Sequence, residues 1–241
     1  MSVVVLMYHD IVTTNDKSSG FQNTNAFSYK VEETAFEEQV KALQGREVVF
    51  TFDDGGVSFI TKAAPILEKY GFKGVFFVCT KYIGTPGFLS AEQLKELTER
   101  GHIVGSHSHT HPEIFTKLSS EEIKQEWQMS SQVLKGILGE GEYTASIPNG
   151  YTSKEILDAA IQFEFKTIYT SQPTTKTKTY KDCTLIGRYV VLDGMTTEEV
   201  LRIVTSKSYH LKMTLKWHLL NWVKMVLGSS YESFKAKILH H

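Results

Sequence analysis

Two short strings in this chain carry side chains fit for acid–base or metal chemistry. They are Thr51-Phe52-Asp53-Asp54-Gly55 and His107-Ser108-His109-Thr110-His111. Paired carboxylates with clustered imidazoles form the donor set of a mononuclear hydrolytic metal site, where three protein ligands leave room for water and substrate. The first string ends the apolar run Val48-Val49-Phe50-Thr51-Phe52 and breaks at Gly55-Gly56. The second follows Ile103-Val104-Gly105. Successive side chains on a strand point to opposite faces, so Asp53 and Asp54 share a site only where the backbone turns. Gly55-Gly56 supplies that turn. His107 and His111 are four residues apart, which a helical turn or tight loop converts into joint coordination. An isolated Asp-Asp-Gly is more often a turn and nothing else. The case for chemistry rests on two such strings, each placed where a strand should end.

The elements that must hold these groups follow from hydrophobic periodicity. Strand patterns cover residues 3–7, 48–52, 74–79, 102–105, 143–147, 166–170 and 185–192. Helical spacing covers 35–43, 60–70, 90–100, 119–138, 153–163 and 197–205. Ser90 with Gln93 reads as an N-terminal cap, and Gly71 and Gly101 read as helix stops. Residues 10–30 read as a long polar loop, and 171–179 as a flexible one. Strands separated by helices of this length predict βαβ units and a parallel sheet. The expected fold class is α/β: a deformed (β/α) barrel of about seven parallel strands, with C-terminal helices. Such barrels place their chemistry at the C-terminal ends of strands. Tyr8-His9-Asp10 ends the first strand and Pro148-Asn149-Gly150 ends the strand over 143–147. Together with the two strings, four polar groups are expected to meet on one rim.

TFDDG, then the histidine pair, then the Pro-x-Gly turn resembles the polysaccharide deacetylases, the NodB-homology carbohydrate esterases, across residues 3–193. The Leu6-Met7-Tyr8-His9-Asp10 start resembles the branch with circularly permuted motifs, which includes exopolysaccharide poly-N-acetylglucosamine deacetylases. The resemblance implies that Asp54, His107 and His111 bind one divalent metal. Zinc is the default for this ligand set, while cobalt, nickel and iron also suit it. It implies that Asp53 is the general base and that a backbone N–H at Asn149 receives the oxyanion. Pro148 and Tyr8 are expected at the substrate. His109 is set aside as a ligand, since its neighbours two positions away fill the motif.

Three departures accompany the resemblance. Ser146 stands where the family's Arg-x-Pro-x-Gly string has the arginine that orients the base. No Leu-x-x-His follows the last strand, so the usual general acid is missing there, and no aspartate that would polarise it can be placed. Two expectations compensate. His9 is expected to serve as the acid, and Arg188, from another strand, is expected to pair with Asp53.

The chain has 241 residues and a formal net charge of -1. The charge is uneven: residues 200–241 hold 7 Lys/Arg against 1 Asp/Glu, leaving 19 against 26 in residues 1–199. The expected division is a barrel over 1–205 and a basic amphipathic helical extension over 206–241. Leu211, Leu215, Leu219, Trp222 and Val226 fall on one helical face, among lysines. That face is expected either to pack on the barrel or, through residues 207–227, to touch an anionic membrane. Sparse arginine and the absence of a recognition motif exclude nucleic acid as a partner. Two cysteines make no disulfide framework, and the N-terminus lacks a basic n-region, so a cytoplasmic setting, or the inner face of the membrane, is expected. The expected activity is metal-dependent removal of N-acetyl groups from an amino sugar in a polysaccharide, glycan or glycolipid precursor. The alternatives are hydrolysis of a non-sugar C–N bond on the same scaffold, or a catalytically degenerate glycan-binding relative.

Overall fold

The computed structural model describes residues 3–150 and 152–227, with side chains through Leu219. From the N-terminus the chain forms β1 (Val4–Tyr8), β2 (Ile11–Val12), α1 (Thr24–Phe27), β3 (Val31–Glu32), α2 (Glu33–Ala42) and β4 (Val48–Phe52). A π-helical turn, Phe59–Ala63, leads into α3 (Ala64–Lys69). Next come β5 (Gly74–Val78), α4 (Ala91–Glu99), β6 (Ile103–Ser106), α5 (Ser120–Leu138), β7 (Tyr143–Ser146) and α6 (Lys154–Gln162). The chain continues through β8 (Phe165–Thr170), β9 (Lys178–Tyr180), β10 (Cys183–Gly187), β11 (Tyr189–Val190), α7 (Thr197–Thr205) and α8 (Lys207–Leu227).

Nine strands make one curled sheet in the order β11-β1-β4-β5-β6-β7-β8-β10-β9. Every pairing is parallel except β9 against β10. The seventh expected strand, over 185–192, is two pieces. β10 pairs with β8 and β11 with β1, so the two ends of the parallel run are joined across the single residue Arg188. The Arg188 N–H leaves the ladder and donates to the Gln172 carbonyl at 3.0 Å. Part of the expected flexible loop is β9, a hairpin partner of β10.

Parallel strands covered on both faces need continuous apolar sequence. β1 and β5 are buried at every position. The core between strands and helices is an aromatic column of Tyr8, Phe36, Phe50, Phe52, Phe59 and Phe76, with neighbouring ring centroids 5.0 to 6.2 Å apart. Burial of each such ring contributes about 2–3 kcal/mol. Helix starts are set by reciprocal side-chain caps at Ser90/Gln93, Ser119/Glu122 and Thr196/Glu199, each closing two otherwise orphaned N–H groups. The π turn before α3 was not apparent in the sequence. Pro65, in its first turn, has no N–H to donate to Thr61, which widens the ladder there. Both cysteines are buried free thiols.

The C-terminal helix packs on the barrel by a face other than the leucine one. The Tyr189 ring meets His210 at 5.1 Å, and the Thr214 hydroxyl donates to the Pro173 carbonyl at 2.9 Å. Tyr209 and Met213 reach the core. Leu211, Leu215 and Leu219 are left 63%, 61% and 60% exposed. This corrects packing of the leucine face on the barrel. The Trp222 and Val226 side chains and residues 228–241 of the expected extension lie outside the described residues. No described helix is long and apolar enough to cross a membrane.

Candidate active site

The strand ends converge as the topology requires. β4 delivers Asp53 and Asp54, and β6 delivers the histidine string. β7 delivers Ser146, and the joint between β10 and β11 delivers Arg188. Left-handed backbone concentrates here. Asp54 (φ 85°), Ser108 (63°), His111 (58°) and Asn149 (54°) are four of the six such non-glycine residues among those described. Each costs about 1–3 kcal/mol unless its surroundings hold it. At Asp54, adjacent Gly55 continues the turn at φ 92°, which lets both carboxylates face one pocket.

The holding contacts are visible. Asp53 is clamped by Arg188, with Nη1 to Oδ1 at 2.7 Å and Nη2 to Oδ2 at 2.8 Å. Arg188 is only 1% exposed. It also donates to Thr51 Oγ1 and the Thr170 carbonyl, and lies 5.5 Å over the Phe77 ring. Burial alone would raise the Asp53 carboxyl. The guanidinium beside it outweighs burial, with help from His107, and holds it well below the ordinary carboxylate range. Ser146 does not leave a gap where an arginine would stand. Its hydroxyl donates to Asp53 Oδ1 at 3.1 Å and lies 2.5 Å from His107 Nδ1.

Asp54, His107 and His111 form a three-donor cluster with ligand atoms within 4.8 Å of one another. Asp54 Oδ1 lies 3.5 Å from His107 Nε2 and 3.4 Å from His111 Nε2. That oxygen is buried without a hydrogen-bond partner, an expensive state for a carboxylate. His107 Nδ1 is 3.1 Å from the Ser146 carbonyl, which can only accept. The ring proton therefore sits on Nδ1, and Nε2 turns its lone pair to Asp54. Burial lowers His107 to about 3, against the pull of Asp53, and lowers His111 as well, so both rings are neutral donors. Burial pushes Asp54 up to about 7; His9 pulls it down, and Asp53 pushes it further up. A partnerless buried oxygen between two neutral imidazoles fits a divalent cation, which replaces the proton that Asp54 otherwise takes up.

Several groups were not apparent in the sequence. The Glu126 carboxylate on α5 accepts from the His109 N–H at 2.9 Å, the Thr110 N–H at 2.8 Å and the Thr110 hydroxyl at 2.5 Å. The Ser108 hydroxyl accepts from the His111 N–H, and Ser106 Oγ accepts from the Ser108 N–H. The loop between the two candidate ligands is thus fastened at every residue. The signal for Glu126 was its place in the inward stripe Ile123, Glu126, Trp127, Ser130 and Leu134, where a carboxylate needs a reason. The supposed loop over 10–30 supplies a wall: Tyr29 packs 4.4 Å from His9, and Phe21 lies 5.3 Å from His111. Asp10 anchors that wall by accepting from the Ser19 and Ser58 hydroxyls. A Cβ at Gly56 would sit 1.9 Å from its Oδ1, which requires the glycine.

The remaining expected residues are placed as follows. Burial lowers the His9 pKa, against the pull of Asp54 and Asp53, and no carboxylate is hydrogen-bonded to its buried Nδ1. His109 turns away to Thr80 Oγ1 at 2.9 Å and is not in the ligand cluster. Asn149 and Gly150 line a cleft beside the site, and Asn149 Nδ2 donates to the Glu113 carbonyl at 3.2 Å. Pro148 and Tyr8 are both buried. Pro148 is buried under its turn. Tyr8 is an inward-facing residue of β1, and its hydroxyl donates to Gln39 Oε1 at 3.0 Å inside the core. Strand alternation sends Tyr8 to the core side of the sheet, which corrects its expected place at the substrate.

Known proteins resemble this chain in sequence and in fold. The protein is 27% identical to the Bacillus subtilis protein YxkH over 180 residues, covering 70% of this chain and 64% of that one. It is 31% identical to the Listeria monocytogenes peptidoglycan-N-acetylglucosamine deacetylase PgdA over 120 residues, covering 49% of this chain and 24% of that one. The chain thus spans less than two thirds of either curated relative. The Streptococcus pyogenes deacetylase PplD, solved in complex with acetate, shares the fold at a TM-score of 0.70 and 21% identity, with 85% of this chain and 98% of that chain covered. The polysaccharide deacetylase family model matches residues 41–168, more than half of the sequence, and the chain belongs to that family.

Proposed function

We propose that this chain is a metal-dependent N-deacetylase that hydrolyses the acetamide of an N-acetylated amino sugar within a polysaccharide, glycan or glycolipid precursor. The observation that carries the reading is the partnerless Asp54 oxygen between two imidazole nitrogens, beside an arginine-clamped Asp53. A divalent cation held by Asp54, His107 and His111, zinc by default, supplies Lewis acidity to the attacking water and the acetamide carbonyl.

The chain's own groups do the rest. Asp53, held in its ionised form by Arg188, takes a proton from water as the O–C bond forms. Arg188 fixes the carboxylate plane, and the Ser146 hydroxyl fixes one of its oxygens. The backbone N–H at Asn149 receives the developing oxyanion. His9 delivers a proton to the leaving nitrogen as the C–N bond breaks, giving acetate and a free amine. Acetate release from a panel of N-acetylated saccharides, with and without chelator, tests this. Chelator-sensitive release is expected. Release from a non-sugar amide alone, or metal uptake without any release, would overturn it.

We also propose that the outer face of α8 meets an anionic bilayer. Exposed Leu211, Leu215 and Leu219 lie beside exposed Lys212 and Lys216, and α8 contains no acidic residue.

A further inference from the structure

A cleft of about 500 Å³ opens beside the catalytic rim. It borders the site through two lining residues: Gly187 directly precedes Arg188, and the Thr170 carbonyl accepts from Arg188 Nε at 3.3 Å. Its walls come from the turn at Asn149, the segment Ser171–Lys178 and the C-terminal helix, which contributes Trp217. The volume falls within the range of small-molecule sites and takes more than one sugar ring.

The lining has a definite chemistry. Thr116, Ser171 and Gln172 offer neutral hydrogen-bonding groups, and Trp217 offers an aromatic wall of the kind that covers a sugar face. Lys176 and Lys178 add two ammonium groups, both on exposed positions, and no Asp or Glu lines the cleft among the described residues. Lys178 Nζ donates to Gln172 Oε1 at 3.3 Å, which leaves it donors to spare. Neither lysine has a carboxylate salt-bridge partner among the described residues. A polar, aromatic-walled cleft with two uncompensated positive charges is mismatched to a neutral homopolymer and matched to an acidic one.

We propose that this cleft binds an acidic sugar next to the N-acetylated one, so that the preferred glycan carries a carboxylate or phosphate beside the scissile acetamide. The proposal rests on the deacetylase reading for its position relative to the reaction, but binding in the cleft is measurable without turnover. It also gives α8 a part in substrate recognition, through Trp217, that its charge pattern alone did not show.

The test uses the full chain loaded with zinc. Equilibrium binding is followed by intrinsic tryptophan fluorescence with three probes: neutral chitotetraose, a tetrasaccharide alternating glucuronic acid with N-acetylglucosamine, and chitobiose phosphorylated at C6. Acetate release is measured on the same three. At low salt at least one acidic probe is expected to bind about tenfold more tightly than chitotetraose, with the preference fading as salt is raised. Which acidic probe wins separates carboxylate from phosphate. The K176Q/K178Q variant is expected to collapse the acidic-to-neutral ratio to about one, and K176E/K178E to invert it, with unchanged melting temperature as the folding control. Equal affinities for all three probes, or a preference that survives K176E/K178E, would overturn the proposal even if acetate is released from each. Acetate release from none of them would instead overturn the deacetylase reading, and the binding data would still decide the cleft.

Discussion

The Arg188 guanidinium grips both oxygens of the Asp53 carboxylate at 2.7 and 2.8 Å, reaching it from 135 residues away in sequence. The pair is buried, and its two parallel hydrogen bonds have the geometry in which a bidentate ion pair is strongest.

Removing the cation should therefore be costly twice over. R188M leaves a buried carboxylate uncompensated and is expected to destabilise the fold by about 3–5 kcal/mol. It should also release Asp53 from its depressed range. The sign follows from linkage: a depressed carboxyl stabilises above its unfolded pKa and loses that stability as pH falls through the folded one. With Arg188 gone, the acid limb of the pH–rate profile should move to higher pH. An unchanged acid limb would remove Arg188 from the catalytic arrangement. R188K should recover charge but not the two parallel hydrogen bonds.

Metal uptake should depend on pH through Asp54. Its carboxyl is pushed up to about 7 by burial, so below that pH a proton competes for the same oxygen. A raised carboxyl pKa also means that the metal-free fold loses stability as pH rises from the ordinary carboxylate range towards 7. Zinc added at about pH 8 should raise the melting temperature more than zinc added at about pH 5, and calorimetry near neutrality should show proton release on binding. D54N should abolish the pH-dependent part of both signals.

Glu126 should matter to metal affinity without touching metal. It fixes the His109 and Thr110 amides between the two candidate ligands. E126A is expected to weaken zinc binding about 10–100-fold. E126Q, whose amide oxygen still accepts from backbone N–H groups, should fall between E126A and the wild type. Competition titration with a chromophoric chelator resolves the three, and equal affinities would show that the loop holds itself.

His9 carries the assignment of the leaving-group proton. H9Q is expected to lower kcat about 10²–10⁴-fold while zinc stoichiometry stays at one. The loss should shrink for substrates with a more acidic leaving amine, which need less protonation. A uniform loss across leaving groups would point instead to a structural role under Tyr29.

The outer face of α8 is tested by co-sedimentation with vesicles. The chain should pellet with phosphatidylserine-containing vesicles at low salt and not with neutral ones. L211Q/L215Q/L219Q should stay in the supernatant, and since those leucines are more than half exposed, the fold should be unaffected.

Much of this arrangement was legible in the sequence because it is written in local signals. Ser90/Gln93 marks a helix start, and Asp53-Asp54-Gly55 marks a strand end, each within a few residues. The pairing of Arg188 with Asp53 was reachable because the base needed a cation and β7 offered only a serine. Glu126 was not legible in the same way. A buried glutamate in an apolar stripe announces a partner but not which one, since its amides lie across a turn of tertiary structure. The side of the sheet taken by Tyr8, the split of the last strand at Arg188 and the choice of inner face on α8 depend on long-range packing. Helical spacing marked Leu211, Leu215 and Leu219 as a face, yet Tyr209, Met213, Thr214 and Trp217 make the inner one.

The joint at Arg188 also couples two positions distant in sequence. Ser146 keeps the volume open in which a guanidinium arriving from the opposite strand can lie against Asp53. The two positions are therefore epistatic. An arginine at 146 beside Arg188 would crowd two cations into one buried space, and loss of Arg188 beside Ser146 would strand the carboxylate and loosen the place where the sheet closes. A substitution at either position is thus conditioned by the residue at the other, because the carboxylate and the fastening of the barrel depend on the same guanidinium.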